Sequence, residues 1–340
     1  MTGLALQNTH WRQKLLGTLP APLRILLQGA SGHDLIKNVD DTLLVHNNKL
    51  VHLQSGRSAD LSESDKESFP AILAKAARSL LQADTKRDRE APLLLLLPAN
   101  EFVATTIHLP GIAKDNLTAA LQIQSGTVIP GFEESLVLSV NPESAERGED
   151  HIALWMTENR LSNFFSAFED EGIFLAAVKP RLLQVSPESG SVSVIDDDSD
   201  CLTLASVENG VLRQWLMLNK MDLEQDEFQQ QWNEIIAAEG KSSIAELNTE
   251  NDYLERSENI SNRNYFFFPQ GALRATHKEE KGRRLVAAAA TCVVLLFIAA
   301  IPFLLQTLEF RSLASTLDAQ RRMATEARQD QYIVVNFENE

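Results

Sequence analysis

The chain has 340 residues, 44% of them hydrophobic, with 47 Asp and Glu against 31 Lys and Arg. That composition is ordinary for a folded protein of one or two soluble domains. The formal charge of −16 excludes a body built to bind nucleic acid, whose phosphates need a basic surface. It also disfavours contact with anionic lipid headgroups except beside a locally basic stretch.

Trp11, Leu15 and Leu16 give residues 1–20 a short apolar helical face, ended by Pro20 and Pro22. Arg24–Gln28 reads as a strand running into the turn Gly29-Ala30-Ser31-Gly32. Thr42–Leu53 is a hairpin signal, because Asn47-Asn48 tolerates the positive φ of a tight turn. Ser62–Gln82 is a helix, capped by Ser62 or Ser64, with Phe69, Ile72, Leu73, Ala76, Leu80 and Leu81 at helical spacing. Thr85–Glu90 is a charged connector.

Pro92–Leu97 is a buried strand, Pro98–Glu101 a turn, and Phe102–Leu109 a returning, alternating strand. After Pro110-Gly111, Ala113–Gln124 is a helix with Leu117, Ala120, Leu121 and Ile123 on its apolar side. Strands follow at Ser135–Val140 and His151–Met156, then a helix at Asn159–Glu171 with Leu161, Phe164, Phe165 and Phe168 inward. Ile173–Val178 returns as a strand. Pro180–Val185 is a helical turn, and Ser191–Asp196, Cys201–Val207 and Val211–Leu218 are three consecutive strands. Asp222–Glu239 is an amphipathic helix with Phe228, Trp232, Ile235 and Ile236, and Ser243–Leu247 a second helix. Tyr265–Pro269 is either a last strand or an apolar plug, and residues 270–284 form a basic linker.

Leu285–Leu305 contains no charged residue, with Leu285, Leu295 and Leu305 marking its start, middle and end. As a helix it is about 30 Å long, the thickness of a bilayer's hydrocarbon core. Arg274, Lys278, Lys281, Arg283 and Arg284 precede it, and Arg311 is the first base after it. Lys and Arg favour the cytoplasmic side, so the N-terminal body is expected in the cytoplasm and residues 306–340 in the periplasm of a single-pass inner-membrane protein. The first residues lack the apolar core of a secretory signal. Beyond the span, Phe310, Leu313, Leu317, Gln320, Ala324 and Ala327 fall on heptad a and d positions. Phe310, Leu313, Leu317 and Ala324 are the candidate partner face, on either a pairing helix or a simple juxtamembrane one. Tyr332–Phe337 has strand character.

No GxxxxGK[ST], HExxH, CxxC or GxSxG pattern occurs. Cys201 and Cys292 lack metal-ligand neighbours at short spacing and read as apolar fillers in a reducing compartment. His46 and His52 face each other across the hairpin in a pH-sensitive or metal-binding reading, or are ordinary surface strand histidines, the preferred account. Phe266-Phe267-Phe268 is core or a partner anchor. Asp222, Glu224, Asp226, Glu227 and Glu234 form a solvated face or meet a basic partner.

Leu93–Pro130 carries a pattern of Leu97-Pro98, Leu109-Pro110, Asn116-Leu117, Ala120-Leu121 and Ile129-Pro130. This stretch resembles the cytoplasmic domain of the type II secretion system protein L family and, more distantly, the actin-like assembly protein of type IV pili. The resemblance implies an α/β, actin-like (ribonuclease H-like) body of mixed sheets with packed helices. It implies a non-catalytic scaffold that holds the secretion ATPase, a protein E-like motor, and pairs with a protein M-like membrane protein and with a second copy of itself. It also implies a small periplasmic domain for which residues 306–340 leave no room, so either the chain is short by nature or the sequence is truncated.

The expected divisions are three cytoplasmic α/β subdomains at 1–90, 91–179 and 180–256, a linker at 257–284, the span at 285–305 and a periplasmic helix and tail at 306–340. Nucleotide-binding members of this architecture place an Asp and a Gly at the first strand's turn. Here Arg24–Gln28 is followed by glycines but no Asp, and the second hairpin has Asp196, Asp197, Asp198 and Asp200 but no glycine. The acidic run reads as a solvated turn, so no catalytic residue, cofactor site or metal site is expected. An actin-like ATPase and a single-span regulator are the alternative functions.

Overall fold

A computed structural model describes residues 32–37, 39, 41–61, 67–82, 91–129, 134–146, 148–185, 189–239, 243–257 and 264–337. The expected helix at 1–20, the strand Arg24–Gln28, the turn at 29–31 and the connector Thr85–Glu90 lie outside the described residues. In chain order the elements begin with α1 (Gly32–Lys37), β1 (Asp41–His46), β2 (Lys49–His52), β3 (Arg57–Asp60), α2 (Phe69–Gln82) and β4 (Leu93–Leu97). Next come β5 (Val103–His108), α3 (Lys114–Val128), β6 (Leu136–Ser139), β7 (Asp150–Thr157), α4 (Glu158–Asp170) and β8 (Leu175–Pro180). The last are β9 (Ser191–Asp197), β10 (Cys201–Glu208), β11 (Val211–Asn219), α5 (Lys220–Leu223), α6 (Asp226–Glu239), β12 (Ser243–Leu247), α7 (Glu250–Ser257) and α8 (Gln270–Phe337).

The first sheet has the order β3-β2-β1-β4-β8. Its hairpin β1–β2 turns on Asn47, at φ 48°, as its side chain permits. β1, β4 and β8 run parallel and bury every residue. That is why Leu93–Leu97 at their centre reads as a continuous apolar run rather than an alternating one. The helices α2 and α4 pack on this sheet and on each other, with the Phe69 and Phe164 rings 6.3 Å apart. α4 starts where the Thr157 side chain accepts from the Arg160 amide, a side-chain N-cap. Leu161, Phe164, Phe165 and Phe168 are buried as their spacing predicts.

The second sheet has the order β11-β10-β9-β12. It repeats the first four strands of the other sheet: an antiparallel three-strand meander whose first strand takes a parallel partner after a helix. Its inner face (Val194, Ala205, Val207, Ala245, Leu247) joins the core of the first sheet. Its outer face (Ile195, Leu204, Ile244) lies against Trp232 of α6. Ser243–Leu247 is therefore a strand, not the expected helix: by joining β9 the five-residue segment pairs its backbone and buries Ala245 and Leu247 on the inner face, and an isolated turn of helix cannot. The expected helix Asp222–Glu239 is split, with α5 capped by the Asn219 side chain.

A third sheet, β5-β7-β6, is inserted between β4 and β8. Ile152, Leu154 and Met156 of β7 face the main core, while Ala153 and Trp155 face a local core with Leu117 and Leu121 of α3. The Trp155 indole donates to Thr105 Oγ1 at 2.8 Å. Phe102–Leu109 thus does not pair back on Leu93–Leu97: β4 pairs with β1 and β8, and β5 with β7. The boundary expected at residue 90 falls within the first sheet, between β1 and its partner β4.

Tyr265–Pro269 enters the core. Phe267 is fully buried and makes a single bridge to Val178 of β8. The basic linker expected at 270–284 is helical backbone, the first part of α8. Among the described residues, those up to Lys278 form one compact unit and those from Glu279 a second. In the second unit the helix runs through Pro302 and includes Tyr332–Phe337, which is not the expected strand. A lone strand leaves its ladder unpaired, whereas a helix satisfies its own backbone. Leu285 and Leu295 lie on this helix with their side chains outside the described residues, and Leu305 is exposed. Among the described residues no helix is long and apolar enough to cross a membrane.

Gly271 sits where α8 meets α4: a Cβ there would come within 2.2 Å of the Phe165 ring. Gly271→Ala is expected to destabilise the body by about 1–3 kcal/mol through overpacking, read as a lower midpoint in chemical unfolding of the full chain.

Candidate functional site

The two sheets of like order meet at Arg181. Pro180, at φ −60°, ends β8 and starts a 3-10 turn, Arg181–Gln184. This turn carries the guanidinium into the interior, where Arg181 is 0% exposed. Nη1 donates to the Val45 carbonyl of β1 at 2.8 Å. Nε and Nη2 donate to Asp196 of β9 at 2.9 and 2.8 Å, and Nη2 lies 3.3 Å from Asp198 Oδ2. The Tyr253 hydroxyl of α7 donates to Asp196 Oδ1 at 2.5 Å, and its ring lies 5.7 Å from the guanidinium carbon. Burial opposes the charge on Arg181, but Tyr253, Asp196 and Asp198 outweigh it and hold the group above its ordinary value. Burial, then Asp196, pushes the Tyr253 phenol well up.

His46 closes the cluster from β1. It is 2% exposed, edge-on to Tyr253 at 5.7 Å between ring centroids. Asn47 Nδ2 donates to its Nδ1, so Nε2 carries the ring proton, and that atom is buried without a partner among the described residues. Burial, then the Arg181 charge, lowers the His46 pKa from 6.5. Cys201, on β10, is buried, and burial raises its thiol pKa.

Several sequence expectations change here. The strand that heads the first sheet among the described residues is β1, and its turn, Asn47-Asn48, has neither acid nor glycine. Of the acidic run expected to be a solvated turn, Asp200 is exposed but Asp196 and Asp198 are not. Asp196 and Asp198 are 1% and 7% exposed and face the guanidinium, because cross-strand pairing places Asp196 opposite Thr203 on the inner face. Asp197, on the other face, pairs with Lys220 at 2.5 Å. His46 and His52 do not face each other: the register pairs His46 with Lys49 and Leu43 with His52. Both are buried rather than on the surface.

Phe266 and Phe267 are core, not an exposed anchor. Asp222, Glu224, Asp226, Glu227 and Glu234 are exposed along α5 and α6. On α8, Phe310, Leu313 and Leu317 are 74%, 60% and 51% exposed, and Ala324 is exposed. A cavity of about 490 Å³ opens between α2 and α4, lined by Lys75, Arg160, Asn163 and Asp170 among others. Among the described residues, no three His, Cys, Asp or Glu side chains are grouped to hold a metal ion. Sequence reasoning missed Arg181 and Tyr253. The only signal was an arginine directly after an apolar strand ending in Pro180.

The arrangement is a closed ion cluster that ties two sheets together. Removing one partner of such a cluster strands a buried charge. Arg181→Met is expected to cost about 3–5 kcal/mol in chemical unfolding, and Arg181→Met combined with Asp196→Leu to recover much of it. His46 stays neutral in the fold while the unfolded chain takes up its proton below pH 6.5. Its contribution is therefore complete above about pH 6.5 and lost as pH falls toward the lowered folded value. His46→Leu should flatten that part of the stability-versus-pH curve.

No protein-family model matches the sequence, and no curated protein matches it. Solved structures with a likeness to it include a PilM–PilN type IV pilus biogenesis complex, at TM-score 0.40 and 15% identity. That match covers 52% of this chain, which spans only 60% of the matched one. Another is the cytoplasmic domain of EpsL, an inner membrane component of the type II secretion system of Vibrio cholerae. It matches at TM-score 0.40 and 14% identity over 71% of this chain and 93% of that one. A third is a Bacteroides thetaiotaomicron protein with an actin-like ATPase fold and unknown function, at TM-score 0.32 and 10% identity over 65% and 88%. At such identities and scores they assign no family to this chain.

Proposed function

We propose that this chain is a non-catalytic scaffold of a type II secretion platform, or of the related type IV pilus assembly, anchored in the cell inner membrane. The observation that carries the proposal is the charge-free run Leu285–Leu305, preceded by five bases, on a continuous backbone helix that starts inside an α/β body. The Leu-Pro pattern of Leu93–Pro130 and the repeated strand order support an actin-like, ribonuclease H-like body. The Arg181 cluster supports a non-catalytic role, because its carboxylates are already engaged by an internal cation.

In this reading the N-terminal body lies in the cytoplasm and docks a protein E-like secretion ATPase. The exposed acids of α5 and α6 offer a complement to a basic face, which speeds and orients encounter. The exposed Phe310, Leu313, Leu317 and Ala324 pair with a protein M-like membrane protein or with a second copy of the chain. No bound nucleotide is required.

Leu295→Arg puts a charge at mid-span, at a cost of about 2.5–3.5 kcal/mol, and should move part of the protein from the membrane to the soluble fraction. Deleting residues 285–340 should release the body completely. A truncated body that stays in the membrane would contradict the anchor. Crosslinked pull-down from membranes should recover a motor ATPase. Tight ATP binding by the full chain would instead favour an actin-like ATPase.

A further inference from the structure

The turn between β2 and β3 holds a constellation that the scaffold reading does not use. His52 is 3% exposed and Asp41 9%. Asp41 Oδ1 lies 2.9 Å from His52 Nε2, and Ser55 Oγ lies 2.7 Å from His52 Nδ1. The backbone makes this geometry. Pairing of Leu43 with His52 puts Asp41 diagonally beside His52 on the same sheet face. The amides of Ser55 and Gly56 both donate to the His52 carbonyl, at 3.3 and 2.9 Å, which curls Ser55 back over the imidazole. Gly56, at φ 66°, supplies the left-handed residue that the turn needs.

The carboxylate accepts from Nε2–H, so Nδ1 is left as the acceptor for the Ser55 hydroxyl proton. Arg57 Nε donates to Ser55 Oγ at 3.1 Å, which sets a cation beside the oxygen where negative charge develops on deprotonation. Ser55 itself is exposed. A nucleophile, a base within hydrogen-bond reach and a third group that orients the base are the parts of an activated serine. A turn-stabilising network needs the same hydrogen bonds but makes no demand on reactivity, and the two roles separate there.

We propose that Ser55 is a covalent acylation site, activated by the buried Asp41–His52 pair, that takes the acyl group of a solvent-borne activated ester or thioester. Ser55 Oγ attacks the carbonyl carbon while its proton passes to His52 Nδ1. The carbon–oxygen or carbon–sulfur bond of the donor breaks, and the leaving alkoxide or thiolate takes that proton. The product is an ester on Ser55, and no electrons are exchanged with any other species. Asp41 is a positioning residue. Because Ser55 sits on an open turn, the donor approaches from solvent.

The full chain is exposed briefly to p-nitrophenyl acetate, and acetylated peptides are quantified by mass spectrometry. Acetylation at Ser55 is expected to run about 100-fold or more faster than at Ser79, an exposed helical serine whose hydroxyl donates to the Ala76 carbonyl. Its rate should level off with rising pH instead of rising in proportion to hydroxide. Ser55→Ala should abolish the adduct. In a Ser55→Cys background, adding His52→Gln should slow iodoacetamide alkylation at position 55 at pH 6 by about tenfold or more, with circular dichroism confirming the fold. Equal acetylation of Ser55 and Ser79, or a Ser55 rate that keeps rising with hydroxide, overturns the proposal. If His52→Gln unfolds the chain, the pH profile of the unaltered protein decides.

Discussion

One buried guanidinium holds the architecture together. Arg181 donates to a backbone carbonyl in the first sheet and to a carboxylate in the second, so neither sheet satisfies its buried polar groups without the other. Desolvating such a cluster is expensive, and its attraction in the interior offsets that cost only with good geometry. The bidentate contact to Asp196, the nearby Asp198 and the Tyr253 hydroxyl provide that geometry. The gain is in specificity: an apolar contact tolerates sliding of one sheet over the other, whereas a planar fork on a carboxylate does not.

Around that lock the body is a duplicated plan with one insertion. Each half sends out a three-strand meander, a helix and a parallel partner strand. The segment before the long helix touches much of the result. The Leu212 amide of the second sheet donates to the Tyr265 hydroxyl at 2.7 Å, and Phe267 bridges β8 of the first. Tyr265 sits at φ 63°, a conformation that costs a bulky residue on the order of 1–3 kcal/mol and persists only where surroundings impose it. Gly271 then lets α8 approach Phe165.

The candidate sites differ in what they ask of the residues. In the Arg181 cluster both oxygens of Asp196 and Oδ2 of Asp198 face internal donors from other elements. The Asp41–His52–Ser55 turn is the opposite case, since its buried pair ends on an exposed hydroxyl. Burial keeps the first shut and makes the second directional.

The chain's own order of residues determined the local pieces. The Asn47 turn, the buried run Leu93–Leu97 and the aromatic face of α4 were all legible, because turn chemistry and apolar periodicity act over a few residues. It also determined the charge-free stretch at 285–305 and the basic residues before it. Only the tertiary structure decided that β4 belongs with β1 and not with β5, that Ser243–Leu247 is a strand, and that Asp196 and Asp198 point inward. Those outcomes depend on partners more than ten residues away, such as Arg181 for Asp196 and β9 for β12. No periodicity within a segment encodes which distant surface will bury it or neutralise its charge.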